Sequence, residues 1–561
     1  MSGTTGAELF VETLEHYGVE HVFGNPGTTE LPVMQAIADS DLAYVLGLHE
    51  DVAVGLAAGY AQTRRYHSHH DPSIRPVGVV NLHTLPGTAH GLGNLYNADV
   101  TGAPLVVTAG VHSTDFQVRE PILSGDLAAL TDQFCKWTAE VPDAETLPLH
   151  LRRAFRVAMT PPTGPVFLAL PLDVMLSETE ATPERLGPIP SGGAGAPAEL
   201  DRATDCLLGA DAPVLVVGDQ VARADAVEEA VAFAEAAGAR VHGEILACEV
   251  DFPTDHEHWV SYIPPDEDLA RTLLSTDTLV LAGCSTNTTL VRHEGELIDR
   301  GTDTVQVGVD PWELGKNEPA DATVRGDPGA ILGALADRVD DRLDPEERET
   351  RLEDVAAFKA MAEKQMRALG EDAAEDPRAS KADLVDALEA AAPEAFIVDE
   401  GVTAKYAMLT RWSLSPEQYI SNKGGGLGYG LPAAVGAAMA ERTRTDREPR
   451  DVIGFVGDGS YLYYPHTLYT AARYGVDLTV VIPDNRNYRI LKDNTLDLFG
   501  GAEADYDFVG MDFEPPVDIP ANAESHGATG RLIEDAPAIE SAVTDAVATD
   551  GPVVLDVLVH D

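Results

Sequence analysis

Apolar runs of strand length alternate with helical periodicity along most of the chain. In the first third the pattern predicts a helix over 6–17 and a strand at His21-Val-Phe23. It then predicts a helix over 50–65 and strands at Val77–Asn81 and Leu105–Thr108. A second series opens at Pro213-Val-Leu-Val-Val-Gly218 and continues through Thr278–Gly283 and Thr304–Asp310. A third contains the strand Asp451–Val456, a helix over 460–474 stopped by Gly475, and the strand Leu478–Ile482. Such alternation reads as α/β architecture. Three domains are expected, at 1–178, 200–339 and 379–561. Ser177–Leu200, rich in Pro, Gly, Ala and Glu, reads as a linker. The charged stretch 340–378 reads as a helix plus an exposed connection. Residues 66–76, with three histidines, read as a solvated loop.

Composition narrows the setting. Of 561 residues, 93 are acidic and 38 basic, for a formal charge of −55, and 44% are apolar. The apolar share is ample for globular cores. The acidic excess is spread along the chain, opposes compaction at low salt, and points to a high-salt cytoplasm where counterions screen it. It argues against nucleic acid or an anionic membrane as partner. Cys135, Cys206, Cys248 and Cys284 show neither metal-site spacing nor a disulfide framework, and are expected to be buried thiols. The first ten residues lack the basic and apolar regions of a signal peptide, and no apolar run reaches membrane-spanning length. A cytoplasmic protein is expected.

The candidate chemistry lies near the C-terminus. Gly457-Asp458-Gly459-Ser460 ends one predicted strand, and Pro-Asp-Asn485-Arg-Asn-Tyr follows the next. A right-handed crossover makes these strands parallel, so both motifs open on one sheet edge, where such sheets bind ligands. The glycines let backbone N–H groups approach a phosphate, and a helix N-terminus favours an anion. Carboxylate, amide and main-chain carbonyl oxygens suit Mg²⁺ completed by diphosphate and water. Alone, Gly-Asp-Gly is equally the mark of a tight turn.

Other motifs fall in a fixed order around this pair. They are Phe23-Gly-Asn-Pro-Gly-Thr28-Thr-Glu30, Leu-His-Glu50, Asn81-Leu-His83-Thr84 and Gly424-Gly425-Gly-Leu427-Gly428. Together the motifs resemble the thiamine diphosphate-dependent 2-oxo acid decarboxylase and acetolactate synthase superfamily, over nearly the whole chain. The likeness is strongest to the benzoylformate decarboxylase branch over 20–175 and 420–490. The resemblance implies three doubly wound α/β domains, binding the aminopyrimidine, playing a structural part, and binding diphosphate and metal respectively. It also implies a homodimer or homotetramer with active sites between subunits. Asp458 and Asn485 would be metal ligands through their side chains, and Asn487 through its carbonyl. Thr403, Gly425, Leu427, Gly459, Ser460 and Tyr488 would contact the cofactor, with Leu427 as the wedge that bends it. Glu50 would hydrogen-bond the aminopyrimidine nitrogen and start the proton relay that activates the thiazolium.

Within the superfamily, His83 matches a decarboxylase histidine that handles protons, and Thr28 matches a serine that contacts substrate carboxylate. Both favour non-oxidative decarboxylation of a small 2-oxo acid. An acetolactate synthase-type carboligase and a non-catalytic cofactor-binding paralogue are the alternatives. Nothing in 200–340 reads as an FAD site. The branch's second histidine falls on Leu290, with His293 nearby. Its aromatic pocket positions fall on Ser421 and Asn494, beside Asn422, Lys423, Arg489 and Lys492. Only eight of the basic residues are lysines, so the cations here point to a polar substrate. Asp484 and Arg489 depart from the family's common Asn and Gly.

Overall fold

The computed structural model describes residues 3–285, 293, 295–369 and 376–560. They form two compact units. One holds residues 1–189, 377–405 and 422–561, and the other holds 190–376 and 406–421. Three parallel sheets with flanking helices make up the α/β framework.

In the first unit the N-terminal sheet contains β1 (His21–Gly24), β2 (Ala43–Leu46), β3 (Gly78–His83), β4 (Leu105–Val111), β5 (Thr138–Glu140) and β6 (Val166–Pro171). Its order is β2-β1-β3-β4-β6-β5, with every neighbouring pair parallel. Phe10 and Leu14, from the helix Gly6–His16, pack with Leu151 and Phe155 against this sheet and bury one core. Helix α1 (Glu50–His70) also packs against the sheet. The C-terminal sheet of the same unit contains β13 (Phe396–Glu400), β14 (Val452–Val456), β15 (Leu478–Asp484), β16 (Thr529–Ile533) and β17 (Pro552–Leu558). They run parallel in the order β13-β14-β15-β17-β16. β7 to β12 belong to the second unit.

That second unit carries β7 (Val214–Val217), β8 (Arg240–Gly243), β9 (Trp259–Tyr262), β10 (Thr278–Ala282), β11 (Asp303–Gly308) and β12 (Ala322–Arg325). The order is β9-β8-β7-β10-β11-β12, all parallel. The compact unit also takes in the charged stretch after residue 339. Arg351, on the helix Pro345–Leu369, is buried and donates to the carbonyls of Ala237, Leu207 and Ala210. A guanidinium that satisfies three carbonyl groups ties this charged helix to the sheet domain. Cys248 is buried, whereas Cys135, Cys206 and Cys284 are partly exposed, and all four are free thiols. Buried status for all four therefore does not hold.

Two sequence expectations fail for local reasons. Residues 66–70 are helix, not loop, because α1 runs on to His70 before Asp71-Pro72 ends it. Tyr66 and His67 are buried, and His67 Nε2 lies 3.2 Å from Glu441 Oε1. The helix expected over 460–474 is broken, with a short turn at Asp458–Tyr461 and a helix at Thr467–Arg473. Pro465 sits in the gap, where it lacks a backbone donor and would clash with the preceding turn.

The two sheets of the first unit are joined by α1 and helix α3 (Gly430–Arg442). Helix α2, between them in sequence, is Lys381–Ala391. A Cβ on Gly59 would collide with the Ala433 backbone, and one on Gly436 with the Leu56 carbonyl. These glycines let the helix backbones touch. Farther along, Glu441 accepts from His67, Arg444 and Arg450 in a buried cluster. Burial alone would raise the Glu441 pKa, but hydrogen bonds from His67 and Arg450 hold it well below the usual carboxylate range. Glu441→Ala removes the carboxylate that Arg450 and His67 bond to, while Arg444 keeps Asp446, so we expect a loss of about 3 kcal/mol in unfolding free energy by denaturant titration.

Candidate active site

Three strands extend beyond their predicted runs, and two of them gain polar ends that carry chemistry. β3 ends on His83 and β15 on Asp484, while β4 extends to Val111. In parallel sheets these C-terminal ends share an edge.

At the N-terminal sheet, Glu30 is fully buried behind His83. His83 Nδ1 lies 2.8 Å from Glu30 Oε2 and 3.2 Å from Thr29 Oγ1. Glu30 also accepts from Gly27 N and Gly110 N at 2.9 Å, and from Thr29 Oγ1 at 2.7 Å. With Nδ1 donating to the carboxylate, Nε2 is the ring nitrogen left to exchange a proton with a ligand. Thr28 opens the short 3₁₀ turn Thr28–Glu30 and is exposed. Glu30 was not singled out from sequence. Its signal was a carboxylate three residues past the Gly-Asn-Pro-Gly turn, where a helix-capping role reads equally well.

Glu50 is the first residue of α1, capped by His49, whose Nδ1 accepts from Asp51 N at 3.1 Å. Glu50 is 9% exposed. Its carboxylate lies 3.5 Å from Asn25 Nδ2 and 3.2 Å from His90 Nδ1. It therefore sits at a helix N-terminus with one neutral donor and one imidazole in reach, an arrangement able to hold or release a proton.

The C-terminal sheet carries the other constellation. A cavity of about 70 Å³ is lined by Thr403, Leu427, Asp458, Gly459, Ser460, Asn485, Asn487 and Tyr488, together with Lys381 and Arg489. Most residues proposed for cofactor and metal thus share one wall. Gly425 is an exception. It is exposed in the left-handed region (φ 71°) and does not line this cavity. A Cβ on Gly459 would meet the Tyr488 ring at 2.6 Å, so the backbone approach there requires glycine.

The turn 424–430 is held from behind by Glu400, at the end of β13. This buried carboxylate accepts from the N–H groups of Gly428, Tyr429 and Gly430, and from Asn422 Nδ2. Burial pushes its pKa up to about 7 against the lowering effect of those donors. Asn97 Nδ2 donates to Gly426 O at 2.9 Å, and Asn94 Nδ2 to Gly428 O at 3.4 Å. Glu400, Asn94 and Asn97 position the turn and were invisible as a group in the sequence.

Behind the cavity Asp458, Asp484 and Asp556 form a buried stack with Asp484 in the middle. Burial and the Asp484 carboxylate push both Asp458 and Asp556 up to about 8. Asp458 Oδ2 and Ser460 Oγ are buried with no hydrogen-bond partner among the described residues. A carboxylate oxygen and a hydroxyl left orphaned in a glycine-lined wall, with amide oxygens beside them, fit a hard cation and a phosphate group. The residues present therefore fit Mg²⁺ and a diphosphate.

The pocket cations invoked from sequence carry partners. Arg489 pairs with Asp493 and Glu503, and Lys492 with Asp512. Asn422 is engaged with Glu400 and Gly426 O, and Ser421 N donates to Cys248 O within the second unit. Asn494 lies on the helix Arg489–Phe499. Leu290 falls outside the described residues. His293 lines a cavity of about 790 Å³ in the second unit with Glu296, Asp299 and Asp321.

Comparison with known proteins accounts for this layout. Residues 4–132 match the thiamine pyrophosphate enzyme N-terminal TPP binding domain, 200–335 the central domain, and 399–557 the C-terminal TPP binding domain. The chain is 32% identical to a benzoylformate decarboxylase of Pseudomonas aeruginosa, over 97% of each chain. It belongs to the thiamine pyrophosphate enzyme family. It is also 28% identical to a putative acetolactate synthase large subunit of Mycobacterium tuberculosis, over 99% of each chain. Among solved structures, a Rhodococcus jostii thiamine diphosphate-dependent 4-hydroxybenzoylformate decarboxylase superposes with a TM-score of 0.84 at 29% identity, over 99% of each chain. A putative thiamin diphosphate-dependent enzyme from Mycobacterium smegmatis gives 0.84 at 27%, over 100% of each chain.

The carboxylate stack generates a pH test. Folded-state values near 8 lie above those of an unfolded chain, so the empty protein binds protons that the unfolded chain has released. That contribution is full below about pH 4 and is lost as pH rises through about 8. We expect the melting temperature of the metal-free protein to fall between pH 6 and 9. Asp484→Asn should flatten the fall, and millimolar Mg²⁺ should offset it at pH 9. A second test concerns Glu30. Glu30→Ala leaves His83 unanchored and two buried N–H groups unsatisfied, so turnover should fall about 10- to 100-fold, with Glu30→Gln recovering part of it.

Proposed function

We propose that this chain is a thiamine diphosphate- and Mg²⁺-dependent 2-oxo acid decarboxylase of the benzoylformate decarboxylase type. The observation that carries the reading is the Glu30-anchored His83, joined to a cavity whose orphaned Asp458 and Ser460 oxygens suit a metal and a diphosphate. When bound, the cofactor supplies the electron sink that makes loss of carbon dioxide feasible. Asp458, Asn485 and the Asn487 carbonyl hold the metal. Thr403, Gly459 and Ser460 hold the diphosphate end, Leu427 braces the middle, and Tyr488 and the turn around Gly425 complete the wall. Glu50 holds and moves a proton at its carboxylate oxygen, with Asn25 and His90 fixing its orientation. His83 exchanges a proton at Nε2 while Glu30 fixes its ring, and the exposed Thr28 hydroxyl orients the substrate carboxylate.

The site is completed by a second copy of the chain in a homodimer or homotetramer that works in a salt-rich cytoplasm. No helix among the described residues is long and apolar enough to cross a membrane. A polar side group on the substrate is the narrower form of the reading. The pairing of Arg489 and Lys492 with carboxylates weakens its support, leaving Thr28 as the polar group that favours it.

Carboligation in the manner of acetolactate synthases is the second reading, favoured by the relative from Mycobacterium tuberculosis. Product analysis separates the two. With cofactor, Mg²⁺ and molar salt, benzoylformate and polar 2-oxo acids should release carbon dioxide and the corresponding aldehyde. Pyruvate converted mainly to acetolactate, with bound flavin absorbance, would install the second reading. Glu50→Gln should lower turnover by about 10²-fold or more with the fold unchanged.

A further inference from the structure

Lys381 lines the same cavity as Thr403, Asp458, Gly459, Ser460 and Asn485. The chain path puts it there. Ala379 bridges in parallel to Val559, directly after β17, and His560 N donates to Ala379 O at 3.1 Å. Val559 N in turn donates to Asp484 O at the end of β15. Ser380 and Asp383 then form a capping box that starts α2 with Lys381 as its first residue. A half-buried lysine is thereby fixed at the sheet edge that carries Asp458.

The local charge calls for such a group. A diphosphate brings at least two negative charges to a wall that already contains Asp458, backed by Asp484 and Asp556. A divalent ion offsets two of them. In a chain with 93 acidic residues and eight lysines, one lysine in this wall is a placed charge.

We propose that Lys381 is a diphosphate-binding residue, its ammonium countering the phosphate charge that the metal leaves unbalanced. A compact ammonium on a flexible stem suits such a point-charge contact. The proposal rests on the cofactor assignment made above.

Equilibrium binding tests it without reference to turnover. Thiamine diphosphate and thiamine are titrated, each with Mg²⁺, into wild type, Lys381→Met and Lys381→Arg by calorimetry, after melting curves establish folding. Lys381→Met should weaken thiamine diphosphate binding about tenfold and leave thiamine within twofold. The deficit should shrink as salt rises. Lys381→Arg should keep most of the affinity. Should the Met variant fail to fold, Lys381→Gln takes its place with the same expectation. Thiamine diphosphate binding within twofold of wild type in the neutral variant, or an equal loss for thiamine, overturns the assignment while leaving the cofactor reading intact. A wild type that binds no thiamine diphosphate overturns the cofactor reading and this proposal with it.

Discussion

The contact on which the first unit depends is the backbone-close crossing of α1 and α3. Gly55 meets Pro432, Gly59 meets Ala433, and Gly436 meets Leu56. Paired positions rise together along both helices, from Gly55 with Pro432 to His67 with Glu441, so the helices run in the same general direction. Their N-termini therefore lie on one side. One N-terminus begins at Glu50, and the other begins at the glycine turn held by Glu400. Side chains larger than hydrogen at Gly59 or Gly436 would push the helices apart and separate those two starts. The crossing thus converts two independent sheets into one frame for the candidate chemistry.

Each buried carboxylate in that frame is handled differently, and the difference separates scaffold from site. Glu30 and Glu400 are surrounded by backbone N–H donors, which repay much of the desolvation penalty. They orient His83 and the 424–430 turn without needing a ligand. Asp458, Asp484 and Asp556 instead face one another, with one oxygen of Asp458 orphaned. Such a stack is poorly satisfied as it stands and becomes satisfied when a cation joins it. Native proteins tolerate that imbalance chiefly where binding resolves it.

The α/β class, the strand positions and the Gly-Asp458-Gly and Asn485 motifs were legible because their signals are local. An apolar run marks a strand wherever it occurs, and a glycine-flanked aspartate at its end marks a ligand edge. The polar ends of β3 and β15 were not legible as strand. His83 and Asp484 break the apolar run although the ladder continues through them. The extension of α1 through Tyr66 and His67 was hidden because their burial depends on Glu441, a partner in another domain. Pro465, in contrast, was a local signal and should have divided the helix expected over 460–474. Glu400 and Lys381 escaped notice because charged residues outside a motif look like surface until the fold shows what covers them, and Glu30, though inside a motif, reads as a helix cap until His83 is seen against it. The pairing of Arg489 and Lys492 with acids was equally hidden, since several nearby carboxylates could have served.

Electrostatics connects the overall composition to the site. A chain of formal charge −55 repels an anionic cofactor at long range, and only counterions or local cations can reverse that. Exposed charges are screened from one another beyond about 8 Å at physiological ionic strength, and beyond shorter distances at molar salt. Salt can therefore remove the long-range repulsion but cannot specify where a diphosphate sits. That specification has to come from groups inside the screening length: oriented N–H donors, a divalent ion and a placed ammonium. In an acidic protein of this kind, the few positive groups at a ligand edge carry more of the recognition than they would in a neutral one. The general surface supplies none of it.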